Sequence, residues 1–344
     1  MKAAQLIAHG APGRFQIAAV PEPRLGPDEV LVEVKACGVN RLDLWLEEGA
    51  LPIPVSLPRI PGSEVAGRVV ALGEDVDEWQ MGERVAIQSN LFCGACDFCL
   101  RGEESLCLHG ELLGVQRDGG FAERVMAPWR SLVRLPDKVD FVAAAALTLA
   151  GSTAMHVLTD RAEVRPGSWV LVIAGASGVG SAAIQIAKQL GALVVATAST
   201  EAKRKLAASL GADHVVDYSS DSWPAEVRKI TQKRGVDLVV EHTGGAVLEQ
   251  VFSCLARGGT VVSCGATAGR EVRLNIWPIF VKQQRLVGSY GRNRADLTAT
   301  LEWVADGRLK PVIDRVYPLE QVPSALAALR ARTVLGKLVV VPGL

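Results

Sequence analysis

From Trp169 onwards, the chain alternates short apolar segments with amphipathic ones, and this alternation constrains the fold more than any other feature. Residues 169–174 predict a buried strand, residues 181–190 a helix with apolar residues at helical spacing, and residues 193–197 the next strand. A further helix over residues 201–210 and strands over residues 236–241 and 260–264 continue the pattern. Strands that alternate with helices predict a parallel, doubly wound sheet.

A glycine-rich turn joins the first of these strands to its helix. Backbone N–H groups at the start of a helix can bind a pyrophosphate, and small residues let the phosphates approach. Ser177 stands at the middle position of the usual Gly-x-Gly-x-x-Gly pattern, so a purely structural turn is the alternative. The strand–turn–helix–strand context favours dinucleotide binding. We therefore expect cofactor contacts from Gly175, Ala176, Ser177, Gly178, Val179 and Gly180.

The end of the second strand decides which dinucleotide is preferred. An acidic residue there would bind the ribose 2′-hydroxyl of NAD and repel the 2′-phosphate of NADP. Ala198 occupies this position, Ser199 and Thr200 follow it, and Lys203 and Arg204 come about one helical turn later. The missing repulsion and the nearby hydroxyls and cations favour NADP(H). The alternative is that the two cations are ordinary solvated helix residues, and Glu201 lies close to them.

Four of the seven cysteines lie in one short segment, as Cys93, Cys96, Cys99 and Cys107. Such clustering in a long chain indicates metal binding rather than a disulfide framework. Four thiolates from one loop supply the closed tetrahedral site of structural zinc. An iron–sulfur cluster generally has a different last spacing, often followed by proline, and a redox pair needs only one Cys-x-x-Cys. The pattern predicts one structural zinc.

The charge balance argues against two classes of partner. Lys plus Arg and Asp plus Glu both number 37, so the formal net charge is zero and no overall field would attract nucleic acid or an anionic membrane. The N-terminus has no apolar signal core, and the longest apolar stretch, residues 141–150, is too short to span a bilayer. We expect a cytoplasmic protein that acts on a small-molecule substrate.

The first 135 residues predict a β-rich domain. Short strands separated by Pro and Gly are predicted over residues 30–36, 65–72, 84–88 and 121–127. The final segment returns to this domain, since residues 336–341 have the pattern of a closing strand. The predicted division is a β-rich domain of residues 1–150 and 291–344, with the cysteine lobe at 91–110, and a dinucleotide-binding domain of residues 151–290.

Taken together, these features resemble the medium-chain dehydrogenase/reductase superfamily of zinc-type alcohol dehydrogenase-like proteins. The matching segments span nearly the whole chain: residues 28–36, residues 61–69, the cysteine lobe, residues 119–123 and the glycine turn. The resemblance implies an α/β fold that pairs a GroES-like catalytic domain with a Rossmann domain. It also implies a homodimer or homotetramer, as is usual in the family.

The resemblance breaks where the family's alcohol dehydrogenases hold a second, catalytic zinc on Cys, His and Cys. The matching positions here are Asn40, Ser63 and Leu149, and Leu42 replaces the hydroxyl residue of the proton relay. Asn and Ser are not usual zinc ligands, and Leu has no donor atom. These departures resemble the quinone oxidoreductase branch, which reduces quinones or activated alkenes with NADPH and no metal. Unlike most of that branch, this chain keeps the cysteine lobe, and it has Trp45 at a common Tyr position.

The resemblance implies catalytic roles for Asn40 and Ser63 as hydrogen-bond donors, with Asn40 also near the nicotinamide ribose. Packing or a satisfied loop hydrogen bond is the alternative for both. Further cofactor contacts are implied for Thr153, Ser199, Lys203, Tyr218, Thr243, Gly265, Ala266, Ser289 and Tyr290.

The expected function is NADPH-dependent hydride transfer to a quinone or enone without catalytic zinc. Alcohol oxidation needs a stabilised alkoxide, which zinc supplies. The charge formed on a quinone or enone is delocalised, so hydrogen-bond donors and water suffice. One alternative is a zinc-containing alcohol dehydrogenase, which requires a second metal. The other is a non-catalytic NADPH-binding protein, which would bind the dinucleotide without turnover.

Overall fold

The computed structural model describes all residues from 1 to 344 and divides into two compact units. Unit 1 comprises Met1–Ser152, Arg292–Gly307 and Pro311–Leu344, and unit 2 comprises Thr153–Gly291 and Arg308–Lys310. Residues 308–310 therefore pack with unit 2, whereas the sequence assigned the whole C-terminal segment to the other domain. None of the helices combines the length and the apolar character needed to cross a membrane.

The strands, in chain order, are β1 (Lys2–Ala8), β2 (Arg14–Ala19), β3 (Glu29–Val39), β4 (Glu64–Leu72), β5 (Arg84–Ile87), β6 (Asn90–Leu91), β7 (Glu111–Leu112), β8 (Arg124–Pro128), β9 (Leu132–Arg134), β10 (Trp169–Val172), β11 (Leu193–Thr197), β12 (His214–Val216), β13 (Val236–Glu241), β14 (Leu255–Ser263), β15 (Arg285–Gly288), β16 (Ile313–Pro318) and β17 (Lys337–Val341). The α-helices are α1 (Arg41–Glu47), α2 (Asp97–Leu100), α3 (Phe141–Ala145), α4 (Ala150–Thr159), α5 (Gly178–Gln189), α6 (Glu201–Ser209), α7 (Trp223–Ile230), α8 (Gly245–Cys254), α9 (Ile276–Val281), α10 (Arg294–Ala305) and α11 (Val322–Arg330).

Unit 1 is organised around β3, which has a neighbour on each side and is buried along most of its length. The sheet order is β16-β17-β3-β4-β5-β9, with β8 also paired to β3. The register sets Gly38 opposite Glu64 and Val39 opposite Leu338. The end of β3 and the first residues of β4 and β17 therefore meet at one place.

Gly38 makes this close approach possible. A Cβ atom at this position would lie 2.3 Å from Glu64 Oε2 and 2.5 Å from the carbonyl oxygen of Ala145. Neither contact is compatible with van der Waals radii, and the second partner is backbone. The sequence therefore brings Glu64 against the end of β3 by leaving out a side chain.

Unit 2 is a six-stranded parallel sheet in the order β12-β11-β10-β13-β14-β15. The first strand of the unit is central and the later strands extend to both sides, which is the order of a doubly wound dinucleotide-binding sheet. Val170, Leu171 and Val172 of the central strand are fully buried. The predicted fold class, a β-rich GroES-like domain with a Rossmann-type parallel sheet, is confirmed.

Some element boundaries differ from the sequence prediction. The strand predicted over residues 121–127 begins only at Arg124, and α5 begins at Gly178 rather than at residue 181. The second difference has a physical reason, since the last glycines of the turn form the first helical turn after the Ser177 cap. The helices of the apolar stretch around residues 141–159 were not predicted.

Candidate active site and metal centre

The four cysteines of the lobe converge on one point. Their Sγ atoms all lie within 4.8 Å of one another. Cys93 and Cys99 are 3.9 Å apart, Cys96 and Cys99 are 3.5 Å apart, and Cys96 and Cys107 are 4.0 Å apart. A tetrahedron of Zn–S bonds of about 2.3 Å places its sulfurs about 3.8 Å apart. The quartet therefore has the spacing of a closed four-thiolate zinc site, which leaves no coordination position for a substrate.

The loop backbone supports these sulfurs. The N–H groups of Ala95 and Cys96 point at Cys93 Sγ from 3.5 and 3.4 Å, and the Cys93 N–H points at Cys107 Sγ from 3.3 Å. The donors of Ala95 and Cys96 hold the pKa of the Cys93 thiol below its ordinary value. Gly94 turns the chain between the first two cysteines with a φ of +74°. These N–H donors favour the thiolate of Cys93, which is the form of a cysteine that binds metal.

Asn40, at the first catalytic-zinc position of the alcohol dehydrogenases, directly follows β3 and is nearly buried. Its Nδ2 donates to Glu64 Oε2 at 2.9 Å, and its Oδ1 accepts from Lys337 Nζ at 2.7 Å. An ammonium can only donate and an ionised carboxylate can only accept, so these two partners fix the orientation of the amide. The second Nδ2 hydrogen has only a 3.5 Å approach to the Gly38 carbonyl.

Glu64 and Lys337 form a buried ion pair behind Asn40, with 2.6 Å between Oε2 and Nζ. Lys337 Nζ also donates to the Val39 carbonyl at 2.8 Å, so its three hydrogens all have acceptors. Glu64 Oε1 accepts the N–H groups of Leu149 and Ala150 at 2.7 and 2.8 Å. Every polar atom of the pair is therefore bonded, as a stable buried ion pair requires.

Ser63 and Leu149 complete the set of positions that would hold a catalytic zinc. Ser63 is fully buried, and its Oγ donates to the Leu113 carbonyl at 2.7 Å. The Leu149 side chain has no donor atom, and its backbone N–H donates to Glu64. An amide oxygen bound to an ammonium, a hydroxyl bound to a carbonyl and an apolar side chain do not fit a zinc site.

Asp43 in α1 holds the neighbouring backbone in place. Its carboxylate accepts the N–H of Asn40 at 2.7 Å and that of Gly62 at 3.2 Å. Burial raises the pKa of Asp43 to about 7, because the charged form loses hydration. Asp43 therefore fixes the loops that carry Asn40 and Ser63 and titrates near neutral pH.

The glycine turn of unit 2 has the predicted strand–turn–helix geometry. Ser177 caps α5, and its Oγ accepts the Gly180 N–H at 3.0 Å. A Cβ at Gly180 would lie 2.3 Å from the Ala174 carbonyl oxygen, so only glycine fits there. Gly178 and Val179 lie in the first turn of α5, where N–H groups lack helical acceptors. This helix start can bind an anionic pyrophosphate.

The residues expected to contact the adenosine half of the dinucleotide, here called the adenosine end of the site, also lie at or after the ends of strands. Ala198 follows β11 directly and is buried, whereas Ser199 beside it is exposed. Lys203 lies in the first turn of α6. Tyr218 follows the neighbouring strand β12 and packs, half-buried, against the apolar core of unit 2.

A nearby carboxylate changes the charge at this end of the sheet. Asp217 forms an ion pair with Arg204, with 2.6 Å between Oδ2 and Nη1. The sequence prediction counted Arg204 as a cation available to a phosphate and did not identify Asp217. Because Arg204 is paired with Asp217, the two charges offset each other, and Arg204 is not a free cation for a phosphate.

Most of the remaining predicted cofactor residues follow β13, β14 and β15. These are Thr243, Gly265, Ala266, Ser289 and Tyr290. The three strands are adjacent and parallel, so these residues lie along one edge of the sheet, where open α/β sheets bind their ligands. Thr153 instead lies within α4.

The sequence analysis did not identify two residues that contribute to these sites. Glu241, at the end of β13, is fully buried, and its Oε1 accepts the N–H groups of Thr243 and Gly244 at 2.5 and 2.8 Å. It therefore shapes the loop that follows β13. The other is Lys337, whose only signal in the sequence is a cation at the start of an apolar closing strand.

Comparison with known proteins places these features in a family. Residues 26–137 match the model of the alcohol dehydrogenase GroES-like domain, and residues 178–306 match that of the zinc-binding dehydrogenase. An alcohol dehydrogenase of Schizosaccharomyces pombe is 32% identical over 339 residues, which are 98% of this chain and 96% of that protein. The chain belongs to the medium-chain dehydrogenase/reductase superfamily. It is an oxidoreductase of the zinc-type, alcohol dehydrogenase-like group, and the predicted superfamily is confirmed.

Solved structures of related proteins have the same fold over nearly the whole of this chain. An NAD-dependent alcohol dehydrogenase is 40% identical, with 99% of each chain covered and a TM-score of 0.95. A crotonyl-CoA carboxylase/reductase is 29% identical, covers 99% of this chain and 88% of its own, and has a TM-score of 0.91. A zinc-binding dehydrogenase structure from Sinorhizobium meliloti 1021, bound to NADP, is 30% identical with 99% of each chain covered and a TM-score of 0.86.

Proposed function

We propose that this protein is an NADPH-dependent reductase that transfers hydride to a quinone or an activated alkene without catalytic zinc. The observation that carries the proposal is the set of groups at Asn40, Ser63 and Leu149. None of the three side chains offers an available metal-binding atom, since the first two are committed to Lys337 and Leu113 and the third is apolar. The names of the relatives favour alcohol oxidation instead, so the experiment must include it.

The chemistry of an activated alkene suits such a site. Bound NADPH supplies a hydride from C4 of its nicotinamide. When a β-carbon accepts that hydride, the π electrons move to the carbonyl oxygen and form an enolate, and water then protonates the α-carbon. The negative charge is delocalised, so one well-placed hydrogen-bond donor contributes without a Lewis acid. Alcohol oxidation would need a group that stabilises a localised alkoxide.

Asn40 is the donor that best fits this role. One of its two Nδ2 hydrogens is bonded to Glu64, and the other has only the 3.5 Å approach to the Gly38 carbonyl. The second hydrogen can therefore serve a substrate oxygen while the amide stays fixed. Ser63 would first have to break its bond to the Leu113 carbonyl, so its direct role stays a prediction.

A crotonyl-CoA carboxylase/reductase shares the fold over the whole length of this chain. Crotonyl-CoA is an α,β-unsaturated thioester, which is an activated alkene. The likeness supports reduction of a conjugated alkene as a reaction that this fold carries.

NADP(H) is the cofactor that the adenosine end supports best. Ala198 offers no charge against a 2′-phosphate, and Arg204 offsets the charge of the nearby Asp217. The relative solved with NADP supports this choice, whereas the NAD-dependent relative favours NAD. The comparison of NADPH with NADH therefore belongs in the same experiment.

A homo-oligomer is supported by the surface of unit 2. The edge strand β15 exposes Leu286, and the adjacent helix α9 exposes Ile276, Trp277 and Phe280. Apolar side chains together with an unpaired strand edge favour burial against a second copy of the chain. Light scattering should find a dimer or tetramer that Trp277→Glu weakens, and a wild-type monomer at micromolar concentration would refute this assignment.

The decisive experiment measures oxidation of NADPH and of NADH with benzoquinones, enones and crotonyl-CoA, and reduction of NADP⁺ and of NAD⁺ with primary and secondary alcohols. We expect turnover in the first group, preference for NADPH over NADH, and about one zinc per chain by elemental analysis. Asn40→Leu should lower turnover while the fold survives. Robust alcohol oxidation that a chelator abolishes would refute the proposal, and dinucleotide binding without any turnover would identify a non-catalytic protein.

A further inference from the structure

Lys337 is a buried cation that no step of the proposed reaction uses directly. Its side chain is only 5% exposed, yet it lies against the amide to which we assign substrate binding. The three acceptors of its ammonium are the Val39 carbonyl, Asn40 Oδ1 and Glu64 Oε2. Because all three hydrogens are used, Lys337 has none left to give a substrate.

The ammonium and the carboxylate act on the two ends of one amide. Lys337 holds Oδ1, and Glu64 holds one of the two Nδ2 hydrogens. Rotation of the Asn40 amide by half a turn would set its NH₂ group against the ammonium and its oxygen against the carboxylate. Both contacts would be repulsive, so the pair selects a single orientation.

Contact with a cation also changes the strength of the amide as a donor. Hydrogen bonds to charged groups are roughly twice as strong as neutral ones. An ammonium on the amide oxygen draws electron density from the nitrogen, which strengthens the remaining N–H, as in other cooperative hydrogen-bond chains. The second Nδ2 hydrogen of Asn40 is the group that benefits.

We propose that Lys337 is a positioning residue for the reductase reaction, which acts by holding and polarising the Asn40 amide. The proposal rests on the proposed function, because it assigns Asn40 to the substrate oxygen. A lysine that served only to stabilise the β3–β17 junction would not affect the reaction through Asn40. The tests therefore ask whether the effect of Lys337 passes through that amide.

The first test observes the amide directly and needs no substrate. The chain has four asparagines, Asn40, Asn90, Asn275 and Asn293, so selective ¹⁵N-asparagine labelling gives four side-chain NH₂ pairs. The pair lost in Asn40→Leu identifies Asn40. Lys337→Met should shift this pair and speed its hydrogen exchange roughly tenfold or more, because a charged hydrogen bond is lost. An unchanged Asn40 pair in Lys337→Met would overturn the proposal.

Lys188→Met is the matched control. Lys188 also forms an ion pair and donates to a backbone carbonyl, but in unit 2, with Asp213 and Ala192. Its replacement should leave the Asn40 pair unchanged. If Lys188→Met moves that pair as much as Lys337→Met does, the effect is a general loss of stability and the proposal fails.

The second test is a double-mutant cycle on turnover. Lys337→Met should lower kcat with an enone roughly tenfold or more in the wild-type background. In the Asn40→Leu background, the same change should lower kcat by less than about twofold, because neighbours that act together are not additive. Equal losses in both backgrounds, or no loss in the first, would overturn the proposal.

A buried glutamate left alone makes Lys337→Met prone to misfolding. If it does not fold, Glu64→Gln/Lys337→Met, which removes both charges and leaves neither partner as an isolated buried ion, is compared with the wild type in the same two tests. A wild-type protein that reduces no quinone or enone refutes the proposed function, and the amide spectra then still decide whether Lys337 holds Asn40.

Discussion

Replacement of Glu64 by glutamine should be one of the most destabilising isosteric changes in this chain. The carboxylate accepts four hydrogen bonds, from the N–H groups of Leu149 and Ala150 on one oxygen and from Lys337 and Asn40 on the other. A glutamine amide has only one accepting end. Whichever way it turns, its NH₂ group faces two donors, and Lys337 remains a buried charge without its counter-ion.

Breaking a buried ion pair by removing one partner costs about 3–5 kcal/mol. For a unit of about 200 residues, that cost lowers Tm by roughly 10 °C. Urea and thermal unfolding measure the loss, and hydrogen exchange should locate it in β3, β4 and β17. Glu201→Gln is the control, because the Glu201–Lys205 pair is exposed and should contribute less than about 0.5 kcal/mol. A loss below about 1 kcal/mol for Glu64→Gln would show that the Glu64–Lys337 ion pair does not stabilise unit 1 as a buried pair should.

Three further predictions concern the metal, the cofactor and pH. If the quartet holds a structural zinc, Cys96→Ser should abolish zinc binding and lower Tm before turnover per folded molecule changes, whereas zinc that persists at one per chain would exclude the quartet as its site. Ala198→Asp should raise the Kd for NADPH far more than that for NADH, because a carboxylate would face the 2′-phosphate, and equal changes in titration calorimetry would contradict this placement. The raised pKa of Asp43 should make its stabilising contribution greatest below about pH 4 and lost as the pH rises through about 7, since its folded-state pKa exceeds its unfolded value. The ¹³Cγ signal of Asp43 should titrate near pH 7, and a midpoint below about 5 would be inconsistent with that burial effect.

The features that the sequence predicted well are those that local patterns determine. The cysteine quartet lies within 15 residues, and its spacing alone indicates four convergent thiolates. The glycine turn follows a buried strand and precedes a helix, so the position of its N–H groups follows from the order of the elements. The parallel sheet follows from the alternation of strands and helices.

The arrangement around Asn40 could not be predicted in the same way, because it joins distant parts of the chain. Lys337 reaches Asn40 across 297 residues of sequence, and the contact depends on the register of β17 beside β3. The bond from Ser63 to Leu113 also depends on tertiary packing. The sequence shows that Asn40, Ser63 and Leu149 stand where the alcohol dehydrogenases have zinc ligands. It does not show which groups form hydrogen bonds with them.

Transfer of deuterium from labelled NADPH distinguishes hydride addition to an alkene from hydride addition to a carbonyl carbon. An enone is reduced with NADPH that carries deuterium at C4, using the 4R and 4S labels separately, and the product is analysed by NMR. We expect one label to be delivered to the β-carbon of a saturated ketone, with the α-hydrogen taken from water. A chelator too weak to strip metal from four thiolates should leave the rate unchanged. Deuterium on the carbonyl carbon of an allylic alcohol, formed at a rate that the chelator abolishes, would contradict the proposed function.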